Sequence, residues 1–442
     1  MINPKIDRIR NAPAGFCLAK WYQVTIDLSR GYTHSCHHPE RHKIPLEELK
    51  NDPSALHNTY YKMLQRKMML EGKRPPECEY CWKIEDISKE HISDRYIKST
   101  DDWAYDLLDH TLQSAWDKKV TPTYLEVIFS SECNLNCSYC MADVSSSIER
   151  EMLKFGPYPV KSNQHRMPKE PEIRENNPYI EAFWKWFPDI ANTLKVFRIT
   201  GGEPLLSKNT FLVLDYLEHH PAPNLELAVN TNLSYSSVQL QKFLSQVKVL
   251  LAKKAIKSFN VFTSLDGFND PATYIRKGLD LKKFMENISI ISTSLPETDI
   301  ILMCTYNILS ISSFRDLLIW VNQLKKDKIN ITLDISYLKD PEYLRANLAT
   351  GPLKEIVHSD LQFMKDMKTF SDYEIKKFER IVSWVITSEE NAETSLYRAD
   401  FYSFITEFDQ RFHSKFLSVF PTYDIFFKTC EKSHKWHKAI NG

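Results

Sequence analysis

Between about residue 120 and residue 340, short apolar runs alternate with stretches whose apolar residues recur at helical spacing. The runs lie near Tyr124–Ser130, Leu194–Thr200, Leu225–Asn230, Phe259–Ser264, Ile300–Tyr306 and Ile329–Ser336, and their length and β-branched content predict strands. The stretches between them predict helices over Pro178–Ala191, Phe211–His219, Ser236–Lys254, Leu279–Ser292 and Ser312–Lys325. A βα unit repeated about six times implies a parallel sheet with right-handed crossovers. Eight units close a full barrel. Six predict an α/β fold built on a partial (β/α)6 TIM-like barrel, open enough on one side to admit a large substrate. Chemistry in such folds sits at the C-terminal ends of the strands.

The flanks read differently. Residues 1–118 have few long periodic stretches. Trp21 to Ser29, leading to Gly31, has the pattern of a hairpin arm; Asn58 to Glu71 and Asp101 to Asp117 have helical patterns. Pro75-Pro76 ends the first of these. Residues 341–442 are mainly helical: Ile375, Phe378, Ile381, Val382 and Val385 form a core-facing stripe, and Tyr402 to Phe420 is an aromatic-rich helix. Three parts are expected: a small Cys-rich module over 1–118, the core over 119–340 and a helical extension over 341–442. The segment Met141–Lys195 is long for a connection, and Gly156–Pro159 and His165–Pro171 have no clear period. Loops of that size are often functional, so a lid is expected here.

Composition narrows the function classes. Of 442 residues, 43% are apolar, enough for a packed core. Lys+Arg and Asp+Glu both number 57, so nothing predicts bulk electrostatic capture of nucleic acid or an anionic membrane. No run of eighteen apolar residues predicts a span, and Met1-Ile2-Asn3-Pro4 lacks the core of a secretion signal. The cytoplasm is the expected compartment. There, nine cysteines read as metal or redox ligands before they read as disulfides. With only ten glycines in the chain, the pair Gly201-Gly202 marks close backbone approach or positive φ.

Cys133, Cys137 and Cys140 follow the first strand at spacings of four and three. Three thiolates on a four-iron four-sulfur cluster leave one iron open to a ligand, where electron-carrier clusters take four. The same three thiols are also compatible with a partial zinc site or with chance. Other motifs fall at later strand ends. Thr200-Gly201-Gly202-Glu203-Pro204 offers a close-approach backbone and a carboxylate for an ammonium group. Asn230-Thr231-Asn232 ends the third strand. Ser264 and Asp266 can hydrogen-bond a ribose diol, and Arg276 can pair a carboxylate. Each alone is an ordinary turn. Together they supply iron, an ammonium partner, ribose partners and a carboxylate partner, the groups that S-adenosylmethionine requires. Earlier in the chain, Cys17, Cys36 and the close pair Cys78-Glu79-Tyr80-Cys81 are enough to close a second cluster or a zinc ion. His34, His37 and His38 crowd Cys36; they are candidate ligands, but three such histidines read first as surface residues or supports. Cys304 and Cys430 read as free thiols.

The Cys-x3-Cys-x2-Cys loop with Tyr139 before its last cysteine resembles the signature of the radical SAM superfamily, and Thr200 to Pro204 resembles that family's GGEP motif. The resemblance covers roughly residues 120–340. It implies that Cys133, Cys137 and Cys140 hold a 4Fe-4S cluster with one open iron. It further implies that Gly201, Gly202 and Glu203 line the methionyl amine of S-adenosylmethionine, and that the backbone at Tyr139 borders the adenine. Ser264 and Asp266 would meet the ribose, and Asn232 and Arg276 are carried over as cofactor contacts. Phe16-Cys17 with Trp21, Gly31 and Cys36, then Pro76-Glu77-Cys78-Glu79-Tyr80-Cys81-Trp82, is similar to the SPASM/twitch auxiliary-cluster module, placed before the barrel as in a twitch-domain subset. That implies one auxiliary 4Fe-4S cluster on Cys17, Cys36, Cys78 and Cys81.

The implied activity is reductive cleavage of S-adenosylmethionine to a 5′-deoxyadenosyl radical, which abstracts hydrogen from a substrate. The resemblance points to a peptide or protein substrate undergoing oxidation, crosslinking or epimerisation, and to a flavodoxin- or ferredoxin-type reductant. A small molecule such as a sugar or nucleotide derivative is the alternative substrate. An iron–sulfur or zinc scaffold is the non-enzyme alternative.

Overall fold

The computed structural model describes residues 4–88, 91–161, 167–168 and 170–441. Among these residues eleven strands follow one another: β1 Gln23–Asp27, β2 Tyr32–His34, β3 His42–Lys43, β4 Tyr124–Ile128, β5 Asn136–Cys137, β6 Val196–Thr200, β7 Glu226–Thr231, β8 Ser258–Ser264, β9 Arg276–Lys277, β10 Asp299–Tyr306 and β11 Ile331–Tyr337. Between the long strands lie helices Pro178–Ile190, Lys208–His219, Ser237–Ala252, Leu281–Ser294 and Phe314–Lys326. The α/β class with alternating strands and helices is as the sequence predicts. The chain forms two compact units: Met1–Ser131 with Glu170–Asn230 and Gln246–Phe259, and Glu132–Lys169 with Thr231–Ser245 and Asn260–Gly442.

In the first unit β1, β4, β6 and β7 are parallel neighbours, and β2 and β3 extend the sheet antiparallel from β1. The turn from β1 into β2 requires glycine: Gly31 has φ +72°, and a Cβ there would lie 2.0 Å from the Tyr179 ring. One face of these strands is a continuous apolar layer, with Val24, Ile26, Leu125, Val127, Phe197, Ile199, Leu227 and Val229 buried. Helix Pro178–Ile190 packs on it through Phe183 and Phe187, whose rings meet Phe197. Asn177 starts that helix by accepting from the Tyr179 and Ile180 amides, with Pro178 preset for the first turn. The opposite face carries His34, Thr25, Glu126 and Arg198 in one row, set by the pairs Thr25↔His34, Thr25↔Glu126 and Glu126↔Arg198. A parallel sheet that is apolar on one side and charged on the other has a face built for something other than packing.

In the second unit β10 lies between β8 and β11, all parallel. Helix Asp372–Thr387 buries Phe378, Ile381, Val382 and Val385, the stripe read from the sequence. Its capping box, Ser371 with Glu374, also ties it to the sheet, because Glu374 Oε1 accepts from the Leu333 amide at 2.8 Å. The aromatic helix begins earlier and ends earlier than its pattern suggests, running Ala392–Phe412 and stopping at His413, a left-handed residue with φ +50°.

Two local expectations change. Asp101–Asp117 is not one helix: only Leu108–Gln113 is α-helical, after a turn in which Trp103 and Ala104 are buried in the core. The long connection after the cysteine loop contains a helix, Ser146–Phe155. Of the His165–Pro171 stretch, residues 165, 166 and 169 lie outside the described residues.

Candidate cofactor sites

The cysteine loop belongs to the second unit. β5 pairs antiparallel with β9, Asn136 opposite Lys277 and Cys137 opposite Arg276, and the Ser138 amide donates to the Ile275 carbonyl at 2.8 Å. Helix Ser146–Phe155 clamps the other side. Ser146 Oγ accepts from the Cys133 amide at 3.2 Å, and Ser147 Oγ donates to the Cys133 carbonyl at 2.6 Å. Asn136 donates to the Ser147 carbonyl at 3.2 Å and to Glu151 at 3.1 Å. The helix starts where it does because Ser145 caps the Ile148 amide, and its Ile148 and Met152 pack with Ala142 beside Cys140. None of the three cysteines is in a disulfide, and all are partly exposed. Burial pushes the Cys140 thiol up to about 12 and raises Cys137 as well, so metal binding must drive their deprotonation.

Tyr139, Asp266 and Arg276 form one buried knot behind this loop. Arg276 Nε donates to Asp266 Oδ2 at 2.8 Å, and Tyr139 OH donates to the same oxygen at 2.8 Å. Arg276 also donates to Tyr139 OH at 2.5 Å and to Cys137 Sγ at 3.8 Å. Asp266 Oδ1 accepts from the Thr305 amide at 2.8 Å. The two residues read as ribose and carboxylate contacts therefore pair with each other, and Arg276 touches a cysteine of the loop. Asn232 also turns to the loop, donating to Asn134 Oδ1 at 2.7 Å. Ser264 ends β8, partly exposed on the side that Asn260 and Phe262 share.

The Gly-Gly-Glu turn belongs to the first unit. Gly201 has φ +128°, and a Cβ there would lie 2.7 Å from the Ser130 carbonyl, to which the Gly202 amide donates at 3.2 Å. Glu203 is buried and caps its own turn by accepting from the Leu205 amide at 3.2 Å. Sequence reasoning missed Glu172. It accepts from Ser130 Oγ at 3.0 Å, the Ser131 amide at 2.9 Å and Ser131 Oγ at 2.9 Å, fixing the chain immediately before the cysteine loop. Its only signal was an acidic residue in a segment without period.

The four N-terminal cysteines converge, also within the first unit. Cys17 precedes the short helix Ala19–Tyr22, Cys36 follows β2, and Cys78 and Cys81 flank the start of helix Glu79–Glu85. All four line one cavity, together with Lys20, Lys98 and Arg95. Burial pushes the Cys78 and Cys81 thiols up to about 12 and raises Cys36. Two of the three nearby histidines have other partners: His34 bonds the Cys36 carbonyl, and His38 bonds Asp94 at 2.6 Å and stacks on Tyr80. Cys304 and Cys430 are buried in the core. Among the described residues, no group of three or more His, Cys, Asp or Glu is arranged to hold a single metal ion. No helix among them is long and apolar enough to cross a membrane.

Residues 127–318 match the radical SAM superfamily model. Among curated proteins the chain is similar to the GTP 3′,8-cyclases of Sinorhizobium medicae (30% identical, 38% of this chain and 39% of that protein) and Nitrobacter hamburgensis (28%, 38% and 40%). It thus spans about two fifths of the length of those relatives. Similar solved structures are anSMEcpe with bound AdoMet (TM-score 0.35, 21% identical, 55% of this chain and 59% of that one) and Streptococcus suis SuiB bound to S-adenosylmethionine (TM-score 0.35, 13%, 80% and 70%). The matched residues run from the end of β4 to the helix after β10 and include the cysteine loop and the Gly-Gly-Glu turn, so over this part the chain is similar to the radical SAM superfamily.

Proposed function

We propose that the protein is a two-cluster radical SAM enzyme that modifies a peptide or protein. The observation that carries this reading is the meeting of four cysteines from three separate segments in one cavity, in a chain that already has a three-cysteine radical SAM loop. The donor sets fit the two groups. Three thiols leave one iron for S-adenosylmethionine, and four thiols close an auxiliary cluster. A single zinc ion needs four donors converging on one point at about 2.0–2.3 Å. The four-thiol cavity supplies four sulfur donors, the number that either group takes, and the cluster reading follows from the resemblance of these cysteines to the SPASM/twitch module. Cations at the cavity wall suit an anionic cluster more than a neutral core.

When bound, the clusters and S-adenosylmethionine supply a 5′-deoxyadenosyl radical by reductive cleavage, with electrons from a flavodoxin- or ferredoxin-type protein. The chain's own residues position the reactants. β9 and helix Ser146–Phe155 hold the cysteine loop rigid, and Glu172 fixes its entry. By family resemblance, Gly201, Gly202 and Glu203 receive the methionyl amine, Ser264 and Asp266 the ribose, and Asn232 and Arg276 the remaining polar groups. The charged face of the first unit, with Glu126 and Arg198, supplies polar anchors for substrate.

The peptide substrate rests on the likeness of the N-terminal cysteines to the SPASM/twitch module. A second reading, a nucleotide substrate, is favoured by the similarity to GTP 3′,8-cyclases. Anaerobic reconstitution with iron, sulfide, dithionite and S-adenosylmethionine should yield 5′-deoxyadenosine. Fully loaded protein that yields none would refute the enzyme reading. Addition of GTP to the same reaction separates the substrates, since the nucleotide reading requires that GTP be consumed.

A further inference from the structure

Lys20 is 2% exposed, and its ammonium forms an ion pair with Glu77, itself 9% exposed. Isolated buried ion pairs seldom repay their desolvation, so they are weak devices for stability. This pair is placed with respect to the four-thiol cavity. Lys20 lies one turn beyond Cys17, with its amide donating to the Cys17 carbonyl at 3.0 Å. Glu77 immediately precedes Cys78, in the turn Pro76–Cys78. Lys20 lines the cavity wall. Arg66 Nε holds the Lys20 carbonyl at 3.1 Å, which fixes the backbone from which the ammonium projects.

The other charged groups at the wall are largely neutralised locally. Arg95 is bound by Glu85 at 2.8 Å, and His38 by Asp94 at 2.6 Å. Lys98 is only partly buried, so water screens it.

We propose that Lys20 is a positioning residue that sets the reduction potential of the auxiliary cluster, with Glu77 as the counterweight that limits its effect. This rests on the two-cluster reading above. Reduction adds one negative charge to the cluster. A buried ammonium at the wall stabilises the reduced form and raises the potential; the carboxylate beside it acts in the opposite sense.

The test is an EPR-monitored redox titration of the full-length, anaerobically reconstituted protein, with the Cys133→Ala/Cys137→Ala/Cys140→Ala variant identifying the auxiliary signal. Lys20→Met should lower the auxiliary midpoint, Glu77→Gln should raise it, and Lys20→Arg should stay near the parent. The midpoint of the Cys133–Cys140 cluster in the same samples should not move. Shifts of the same sign in Lys20→Met and Glu77→Gln, or no shift in either, overturn the inference. If Lys20→Met fails to load a cluster, the Glu77→Gln shift decides alone. Failure of the two-cluster reading looks different: the parent protein then binds only one cluster by iron and sulfide analysis.

Discussion

The two sets of cysteines are held by opposite means. Cys133, Cys137 and Cys140 lie within eight residues of chain, and their support is local: β9 on one side and helix Ser146–Phe155 on the other. Cys17, Cys36, Cys78 and Cys81 come from segments far apart in sequence, and only the folded first unit brings them to one cavity. A local set can keep its geometry when its metal is absent. A dispersed set ties its segments together through the metal, so ligand loss there is also loss of a crosslink.

The largest expected effect separates the two sets by chemistry. Alanine at Cys133, Cys137 and Cys140 should remove about half of the bound iron and all 5′-deoxyadenosine formation. Alanine at Cys17, Cys36, Cys78 and Cys81 should remove the other half and leave cleavage of S-adenosylmethionine in the absence of substrate. Iron and sulfide analysis with chromatography of the products reads both. Loss of all iron in either variant would break the comparison, since the sets would then be one centre or one folding unit.

The next effect separates them by stability. On the proposed two-cluster reading, the four-cysteine variant should melt on the order of 5 °C or more below the reconstituted parent, because the cluster would then tie its segments together. The three-cysteine variant should melt close to it. Calorimetry under anaerobic conditions decides, and equal shifts would remove the distinction.

The same contrast explains what the sequence reveals. The long strands from β4 to β11 and their helices follow from period and run length, which are local properties. The three-cysteine loop and Gly201-Gly202 are legible for the same reason: spacing and rare glycines are visible in a few residues. The parallel pairing of β1 with β4 is not legible, because Gln23–Asp27 shows only a strand-like run and nothing of its distant partner. Glu172 and Lys20 are missed for a related reason. A lone carboxylate or lysine in a sequence is ordinarily solvated, and only the fold shows it buried against specific donors. The Asp266–Arg276 pair joins residues ten apart across a turn, and the motif reading had given each an external partner.

A smaller effect probes how local the support of the loop is. Asn136→Ala removes two hydrogen bonds to helix Ser146–Phe155 and should weaken the clamp by about 1–2 kcal/mol. Amide exchange at Ser138 should quicken, while the melting temperature of the whole chain hardly changes. A global destabilisation of the same size would mean that the loop is integral to its unit rather than an appended clamp.

The smallest effect concerns acid. His42 is held below the ordinary imidazole range, at about 4, first by burial and then by the nearby Lys62, with Glu77 opposing. Its Nε2 lies 2.8 Å from Thr59 Oγ1, so it serves the fold as a neutral ring. Between about pH 6.5 and pH 4 the unfolded chain binds a proton at this position that the folded chain does not, so stability falls as pH drops through that window. His57, buried against Lys62 and Arg66, is depressed in the same direction. Both imidazoles lie in the unit that holds the dispersed cysteines, so acid should loosen that unit before it touches the cysteine loop. His42→Gln keeps a hydrogen-bonding group for Thr59 but cannot take the proton. The parent should lose about 1 kcal/mol more than His42→Gln between pH 7 and pH 5, a discounted figure because the ring is not fully buried. Denaturant titrations at the two pH values measure the difference, and parallel losses in the two proteins would show that His42 already ionises without penalty in the folded state.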